Sequence, residues 1–474
     1  MRFRCLGRGA SRLALAAVAL SGCRTPAAPG AGRPLAPWVA VARTAGTALV
    51  RGLDVAPDGR VAVSLGHRGE VSLGGRTIPG AADRDEAAVL LLAPPAAGAA
   101  APVAAWAIPA AAQPGPVAIG DAEVVVALGG AGTLRVGDAD HAVRGDPGAV
   151  VVGLGAGDGR PRWTVDLGAT DWVVVADVAA LAGGDVAVAG QFAGTLRAGA
   201  SVVTSAGGSD GFVARLGGGA VRWLVRVGGR QADGVAGVAA LGDRVAIAGT
   251  FAEAADLRGS ELVAVAPDSP AADGFVAALG ADGAVAWVHR FASPAEDAVA
   301  GIAVTVGGAV AVAATVRGPV QVSDAAGTVT AAGVNDFSGH GSADGLIATW
   351  DAAGHLRSSV LVGGADYDGL RGIAAVGDQL VAGGWFSGRI TLGGETFVAG
   401  GGDDAFLVVL DSQAAVVRGI AVTGDGREDV TAVAAAPGGW AAAIAHTTAA
   451  RIGDAALPAP ADPLGGVAIV FAPR

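Results

Sequence analysis

The chain has 474 residues and a formal net charge of −11, with 52% hydrophobic residues, 16% charged residues and 79 glycines. This composition excludes an intrinsically disordered chain, which has too few apolar residues to offset its ordering entropy. The acidic balance argues against nucleic acid and against broad adhesion to anionic lipid as partners. All basic residues are arginines, which excludes covalent or general-base chemistry by lysine.

Residues 1–22 predict an export signal. A basic start precedes an apolar run at 13–20 that is too short to span a membrane. The segment Leu20-Ser21-Gly22-Cys23 follows and resembles the lipobox of bacterial lipoproteins, which implies cleavage before Cys23 and acylation of its thiol. The alternative is a chance cysteine after an apolar run. The basic residues of the start are Arg2, Arg4, Arg8 and Arg12.

Residues 23–36 predict a lipidated cysteine followed by an extended Pro/Ala/Gly tether. Arg24 stands where an Asp would mark retention in the inner membrane, so we expect the outer membrane. Cys5 would leave with the signal and Cys23 would be acylated, so the mature protein would have no disulfide. Its stability would then depend on its hydrophobic core, for which the chain is long enough.

From residue 37 onward, one unit recurs at a spacing of roughly 57–71 residues, most clearly at 210–229, 273–293 and 344–364. Short Val/Ala/Ile runs between Gly and Asp turns predict strands buried on both faces. Each unit predicts four strands, A to D, as in a blade of a β-propeller. Strand A is predicted at 52–56, 116–120, 174–181, 234–241, 298–304, 372–376 and 430–434; strand B follows at once, as at 60–65, 123–128, 185–190 and 440–445; strand C is predicted at 87–92, 149–154, 211–216, 274–279, 345–350, 405–410 and 466–471.

Strand D carries a Trp at the same place in the first four units, whereas units five and six have Ser358 and Gly419 there. The seventh unit has no strand D after its strand C, and residues 38–43 offer one with Trp38 at the equivalent place. The sequence therefore predicts an all-β fold over residues 37–474: a single closed β-propeller of seven four-stranded blades, the last completed by the N-terminal strand. We interpret the repeated Trp as packing between blades; the alternative is a platform that stacks on sugars. The four residues are Trp106, Trp163, Trp223 and Trp287.

An extra hairpin pattern lies between strands B and C of most units, for example at 132–137, 194–199 and 388–394. In a propeller these connections emerge on the same face as the connections from D to A. We expect them to decorate one rim, on the face where ligands usually bind.

Residues 192–249 carry the pattern F-x-G-T-L…G-x-D-G-F-V-A-x-L…W…V-A-I-A-G most completely. This pattern resembles the seven-bladed β-propeller repeats of delta-proteobacterial, especially myxobacterial, lipoproteins. The resemblance implies a propeller in the cell envelope and little about activity. Residues 154–163 alone are similar to the T-G-x-x-x-W motif of quinoprotein-type propellers, some of which are lipoproteins of the outer-membrane-barrel assembly machinery.

Two columns of acidic residues recur, one before strand C and one before strand A. Both would lie on the same face, and together they could form a ring of carboxylates that holds a cation such as Ca²⁺. The interpretation we favour is that each Asp caps its turn by accepting backbone N–H groups. The first column is Asp146, Asp210, Asp273, Asp344 and Asp404, and the second is Asp171, Asp233, Asp297, Asp368 and Asp429.

No further motif predicts chemistry. The six histidines form no metal-binding pair in the sequence, and neither a nucleophile elbow nor a phosphate loop occurs. We therefore predict no catalytic, metal or cofactor-binding residues and no cofactor. The leading hypothesis is a monomeric, non-catalytic envelope lipoprotein that binds a protein or glycan partner. The alternatives are a hydrolase or lyase with a dispersed acidic site, and an outer-membrane assembly scaffold of the quinoprotein-like type.

Overall fold

The computed structural model describes residues 38–44, 46–95, 102–265, 271–324, 327–330, 332–333, 343–453, 455–460 and 465–473. The predicted signal peptide, Cys23 and the tether 23–36 lie outside these residues. Contacts divide the chain into Met1–Ala31 and Gly32–Arg474, and every described residue belongs to the second part. No described helix is long and apolar enough to cross a membrane. The fold is all-β, and one 3₁₀ turn interrupts the strands at Ala182–Gly184.

A four-stranded antiparallel sheet occurs seven times in the described residues, and we number these sheets as repeats 1 to 7. Each repeat runs from an inner strand through a second and a third strand to an outer strand. The inner strands are Ala48–Val55, Gln113–Ile119, Trp172–Ala180, Gly234–Leu241, Ala298–Val304, Asp368–Val376 and Glu428–Ala436. The second strands are Val61–His67, Glu123–Gly130, Asp185–Ala198, Arg244–Phe251, Val310–Val316, Gln379–Phe386 and Gly439–His446.

The third strands are almost entirely buried apart from residues 201–208, as expected for Val- and Ala-rich runs that pack on both faces. They are Glu86–Ala93, Gly148–Gly155, Ser201–Gly217, Asp273–Leu279, Asp344–Trp350, Asp404–Leu410 and Gly466–Pro473. The outer strands are Val103–Ala111, Pro161–Ala169, Ala220–Gly229, Val285–Ala292, Leu356–Val362, Val416–Gly424 and, for repeat 7, Trp38–Val41. Each predicted strand overlaps the observed strand of the same type.

The hydrophobic core of the described residues is divided into seven clusters, each between two consecutive repeats. The cluster between repeats 7 and 1 joins Val467, Ile469 and Phe471 to Val63 and Leu65. The inner strands of consecutive repeats contact each other, and the inner strand of repeat 7 contacts that of repeat 1. Consecutive repeats therefore pack against each other, and repeat 7 also contacts repeat 1.

The N-terminal strand has the predicted partner. Trp38–Val41 pairs antiparallel with Gly466–Pro473, with Trp38 opposite Phe471. The Trp38 side chain is 3% exposed and stacks on the Phe471 ring at a centroid distance of 5.9 Å. The first described strand thus completes the sheet formed by the end of the chain.

The tryptophans of the outer strands pack between repeats, as predicted. The Trp223 indole donates its N–H to the Ala281 carbonyl of the next repeat at 2.8 Å, and Gly283, with φ near 78°, lies beneath the ring. A Cβ at Gly283 would lie 3.1 Å from the Trp223 indole, which favours glycine at this position. Trp106 and Trp287 donate in the same way to Ala156 and Ala352. Trp163 differs, because its indole donates to Glu123 of its own repeat.

The hairpins between second and third strands bind the preceding repeat. Their first strands pair with the preceding outer strand, for example Val136 opposite Ala110 and Leu257 opposite Val227. In repeats 2, 3, 4, 5 and 7 the hairpin continues the preceding sheet and thereby ties neighbouring repeats together. The separate hairpin strands are Val71–Leu73 with Arg76–Ile78, Thr133–Val136 with Ala139–Ala142, Ala254–Leu257 with Ser260–Val263, Gln321–Asp324 with Gly327–Thr330, Arg389–Leu392 with Glu395–Val398, and Ala450–Ile452 with Ala455–Leu457; Arg43–Thr44 pairs with the first of these, and Ala332–Gly333 pairs with the outer strand of repeat 5. The hairpins themselves were predicted, but their pairing with the preceding repeat was not.

Candidate functional site

A β-bulge in the pairing between inner and second strands shapes the centre of the described body. In repeat 1 the register shifts between Val50 and Gly52, so Arg51 has no partner residue on the second strand. A bulge redirects the side chain at the extra residue. Bulges occur in the other six repeats too, and one residue at each of the seven bulges lines a central cavity. These residues are Arg51, Pro116, Ala176, Ala236, Ala300, Arg371 and Thr431.

The central cavity has a volume of about 500 Å³ and is lined by all seven inner strands. Most of its wall consists of Gly, Ala and Val. The charged residues in the wall are two arginines, Arg51 and Arg371, and two acids, Asp54 and Asp177. A concave space with a few charged side chains at fixed places is a common form of a site for a small ligand.

A second cavity of about 1060 Å³ lies where the inner strands of repeats 1, 2 and 3 begin. Arg51, Pro116 and Ala176 line both cavities, so the two spaces are continuous. Asp85 and Arg427 contribute opposite charges to the wall of this wider cavity. The central cavity therefore opens into a wide, polar mouth.

The two acids in the central cavity connect neighbouring inner strands. Asp54 accepts the N–H of Val55 and the N–H of Ile119 in repeat 2, each at 2.8 Å. Asp177 accepts the N–H of Val178 and the N–H of Val238 in repeat 4, each at 2.9 Å. Burial raises the pKa of Asp54 to about 6 and that of Asp177 to about 7, and the nearby Asp54 charge adds to the shift at Asp177.

The two arginines in the wall differ in their partners. The Arg371 guanidinium donates to Asp429 at 3.1 Å and lies 5.9 Å from the centre of the Trp385 ring. Arg51 is exposed, and no described residue pairs with it through an ion pair or a side-chain hydrogen bond. The mouth of the central cavity therefore holds one uncompensated cation.

Eight acids of the two predicted columns come after Asp171 in the chain. All of them except Asp429 are buried, with at most 3% exposure, and line neither cavity. They meet in pairs: an acid that begins a third strand lies near the acid that begins the next inner strand. The pairs are Asp210 with Asp233, Asp273 with Asp297, and Asp344 with Asp368. The speculative ring of carboxylates around the mouth is therefore not formed by these seven residues.

The fourth pair contains Glu428 where the predicted column has Asp429. Asp404 lies beside Glu428, not beside Asp429. Strand register explains the difference, since Asp368 is opposite Phe386 in repeat 6 and Glu428 is opposite His446 at the equivalent place in repeat 7. Asp429 belongs to the wider cavity and binds Arg371.

Most of the paired acids accept backbone N–H groups. Asp233 accepts the N–H of Gly229 at 2.6 Å and of Ala252 at 3.0 Å, and Asp368 accepts the N–H of Gly364 and of Ser387. This is the turn-capping geometry that we favoured. Burial is the largest cause of the raised pKa of Asp233, Asp273, Asp297, Asp344 and Asp368. The pKa is about 6 for Asp233 and Asp368 and about 7 for Asp297 and Asp344.

In the pair formed by Asp404 and Glu428, Asp404 Oδ2 accepts the N–H of Gly400 at 2.9 Å, whereas the other three carboxyl oxygens lack such donors among the described residues. Both side chains are fully buried, and Asp404 Oδ1 and both oxygens of Glu428 have no hydrogen-bond donor among the described residues. Burial, followed by the contact with Asp404, raises the pKa of Glu428 to about 8. At neutral pH, Glu428 is therefore protonated and can donate to Asp404 Oδ1.

The remaining polar residues do not form a compact catalytic group. His67 and His446 begin the same connection in repeats 1 and 7, and each directs Nδ1 to a backbone carbonyl, of Gly69 or Thr448. No three His, Cys, Asp or Glu side chains of the described part form a metal site. Tyr367, between the acids of the Asp366–Gly369 sequence, stacks on Trp385.

Sequence reasoning missed Arg51, Asp54, Asp177 and Glu428. Asp54 and Asp177 could have been noticed, because each is a lone charge inside an apolar run predicted as strand A. Arg51 lies just before the predicted start of the first such strand, at a bulge that residue types alone do not reveal.

The chain matches no family model and no curated protein. Two solved structures align along most of it. The quinohemoprotein alcohol dehydrogenase from Comamonas testosteroni has 10% identity and a TM-score of 0.37, over 92% of this chain and 76% of its own. The quinohemoprotein alcohol dehydrogenase ADHIIG from Pseudomonas putida HK5 has 9% identity and a TM-score of 0.39, over 91% and 76%. Scores at this level assign neither a family nor an activity, and the sheet order and cavities define an all-β, propeller-type protein.

Proposed function

We propose that this protein is a lipoprotein of the cell envelope, acylated at Cys23, whose body is a closed seven-bladed β-propeller that binds a protein or glycan partner without catalysis. The observation that carries the binding role is the pair of continuous cavities centred on Arg51. Their combined volume exceeds that of a site for one small molecule. The partner would bind at the wide mouth.

Closure of the propeller is supported by the junction between its ends. The strand Trp38–Val41 pairs with Gly466–Pro473, and a core cluster joins repeat 7 to repeat 1 as other clusters join the repeats between them. Closure would leave no unpaired blade face, which suits an exported protein without disulfides.

The non-catalytic role is supported by the hydrogen bonds of the two acids in the central cavity. Every carboxylate oxygen of Asp54 and Asp177 accepts a backbone N–H, so these groups are held as links between strands. A general acid or base instead needs to exchange a proton with a reacting group at close range.

The hydrolase or lyase alternative keeps one observation in its favour, the raised pKa values of Asp54 and Asp177 in a cavity. Asp177→Asn would separate the two functions. It should abolish any turnover of an envelope glycan by the purified protein under the enzyme hypothesis, and it should leave partner capture in the envelope unchanged under the binding hypothesis.

Site-specific photocrosslinking in the native envelope tests the binding role. A photoreactive residue at Asp85, whose side chain is 63% exposed in the wider cavity, should give a discrete adduct. The same residue at Val306, 85% exposed in the turn after the inner strand of repeat 5, serves as the control and should give none. Equal adduct patterns at the two positions would contradict a partner at the mouth.

A further inference from the structure

The central cavity contains a cation that has no partner. Arg51 is placed in the wall by the bulge of repeat 1, and no described side chain binds its guanidinium. The other arginine of the wall, Arg371, is bound by Asp429 at 3.1 Å. Arginine presents a planar fork of N–H donors that fits a carboxylate, so an unpaired guanidinium in a cavity is a receptor for a planar anion.

The same cavity contains two acids that have no cation. Asp54 and Asp177 receive hydrogen bonds only from backbone N–H groups, and no arginine or histidine among the described residues offsets their charges. A carboxylate has about four acceptor positions, so each group retains unused ones. An ammonium group could occupy them, since it would supply both the missing donors and the missing positive charge.

The arrangement separates the two kinds of charge. Arg51 lies at the opening that both cavities share, whereas Asp54 lies three residues further along the same extended strand, roughly 10 Å away at the Cα atoms. Small residues such as Gly52, Gly301 and Gly372 line the same cavity. The space of about 500 Å³ therefore suits a small ligand with opposite charges at its two ends.

We propose that the central cavity binds a short zwitterionic peptide that has a free carboxylate and a free ammonium group. Arg51 receives the carboxylate at the opening, and Asp177 and Asp54 receive the ammonium group deeper in the cavity. The backbone links made by the two acids hold them in place for this contact. The proposal goes beyond the capture of a large partner and does not depend on the lipid anchor.

Isothermal titration of the purified full-length chain tests the proposal, with dialanine as the probe. N-Acetyl-dialanine lacks the ammonium group, and dialanine amide lacks the carboxylate. Dialanine should bind at least about tenfold more tightly than either analogue, because each analogue loses one of the two charge-assisted contacts.

Substitutions assign each end of the probe. Arg51→Ala should weaken dialanine binding and remove the preference for dialanine over its amide, whereas Asp177→Asn should remove the preference over the acetylated form. Arg135→Ala is the matched control, because Arg135 is an exposed arginine on the hairpin of repeat 2, outside both cavities. It should bind like the wild type.

Three results would overturn the proposal: no binding of dialanine by the wild-type protein, equal binding of the blocked analogues, or unchanged selectivity in Arg51→Ala. Thermal melting checks that each variant is folded. Arg51→Lys keeps the charge without the fork and should retain part of the preference, so it provides the test if the alanine variant fails to fold.

Discussion

Replacing Glu428 with glutamine should stabilise the protein at neutral pH. Glu428 is fully buried beside Asp404, and neither of its oxygens has a donor among the described residues. Its carboxyl must take up a proton to remain in this place, whereas the unfolded chain releases that proton at pH 7. A glutamine has nearly the same shape, carries no charge, and can donate its amide N–H to Asp404 Oδ1.

The size of the effect follows from the pKa, which rises from 4.5 to about 8 on folding. Between the two pKa values, the folded protein keeps this proton whereas the unfolded chain has lost it. Stability therefore falls by about 1.36 kcal/mol per pH unit between the two pKa values. At pH 7 the loss reaches up to roughly 3 kcal/mol, which glutamine avoids. With an unfolding entropy of about 2.1 cal/mol/K per residue, that is a rise in Tm of about 3 °C if the body unfolds as one.

Thermal melting of the wild type and Glu428→Gln from pH 4 to pH 8 measures this difference. The two proteins should melt alike near pH 4 and diverge as the pH rises. Glu86→Gln is the matched control, because Glu86 begins a third strand but already accepts the N–H of Ala81 at 3.1 Å and of Arg84 at 2.8 Å. The reasoning fails if Glu428→Gln melts below the wild type at pH 7, or if the pH profiles of the two proteins coincide.

Three further predictions follow from the paired acids, the N-terminal strand and the lipobox. Because the pKa values of Asp54, Asp177, Asp297 and Asp344 are raised, the folded protein binds more protons than the unfolded chain between about pH 4 and pH 7. Tm should therefore be higher at pH 5 than at pH 8. The opposite order would contradict these pKa values. Deleting residues 38–44 removes Trp38 and uncovers the edge of Gly466–Pro473. Loss of a buried Trp lowers the free energy of unfolding by about 3–5 kcal/mol, so this variant should melt much lower. Deletion of residues 24–35 should not lower Tm. Cys23→Ser should move the protein from the membrane fraction to the soluble fraction, and an unchanged membrane fraction would exclude the lipid anchor.

The strands could be predicted because each repeat buries Val and Ala on both faces of its sheet, which leaves a clear apolar run in the sequence. The strand at residues 38–41 could also be predicted, since Trp38 fills the position that Trp106 and Trp223 fill in other repeats. The pairing of the hairpins could not be predicted, because their sequence predicts a turn between two short strands but not the neighbour to which they bind. That neighbour is the outer strand of the preceding repeat, and pairing of this kind is decided by tertiary contacts.

The candidate site could not be predicted because it depends on register more than on residue type. The sequence offered Glu428 and Asp429 as adjacent acids, and the opposition of Glu428 to His446 decides which of them enters the pair with Asp404. In the same way, bulges decide that Arg51 and Arg371 face the central cavity, while the equivalent residues of repeats 3, 4 and 5 are alanines. The bulges therefore place arginines in the cavity wall in repeats 1 and 6 and alanines in repeats 3, 4 and 5. Exchanging Arg51 and Ala176 would move the unpaired cation from repeat 1 to repeat 3 without changing the number of charges. Loss of dialanine binding in that double variant would show that the position of the charge, rather than its presence, makes the site.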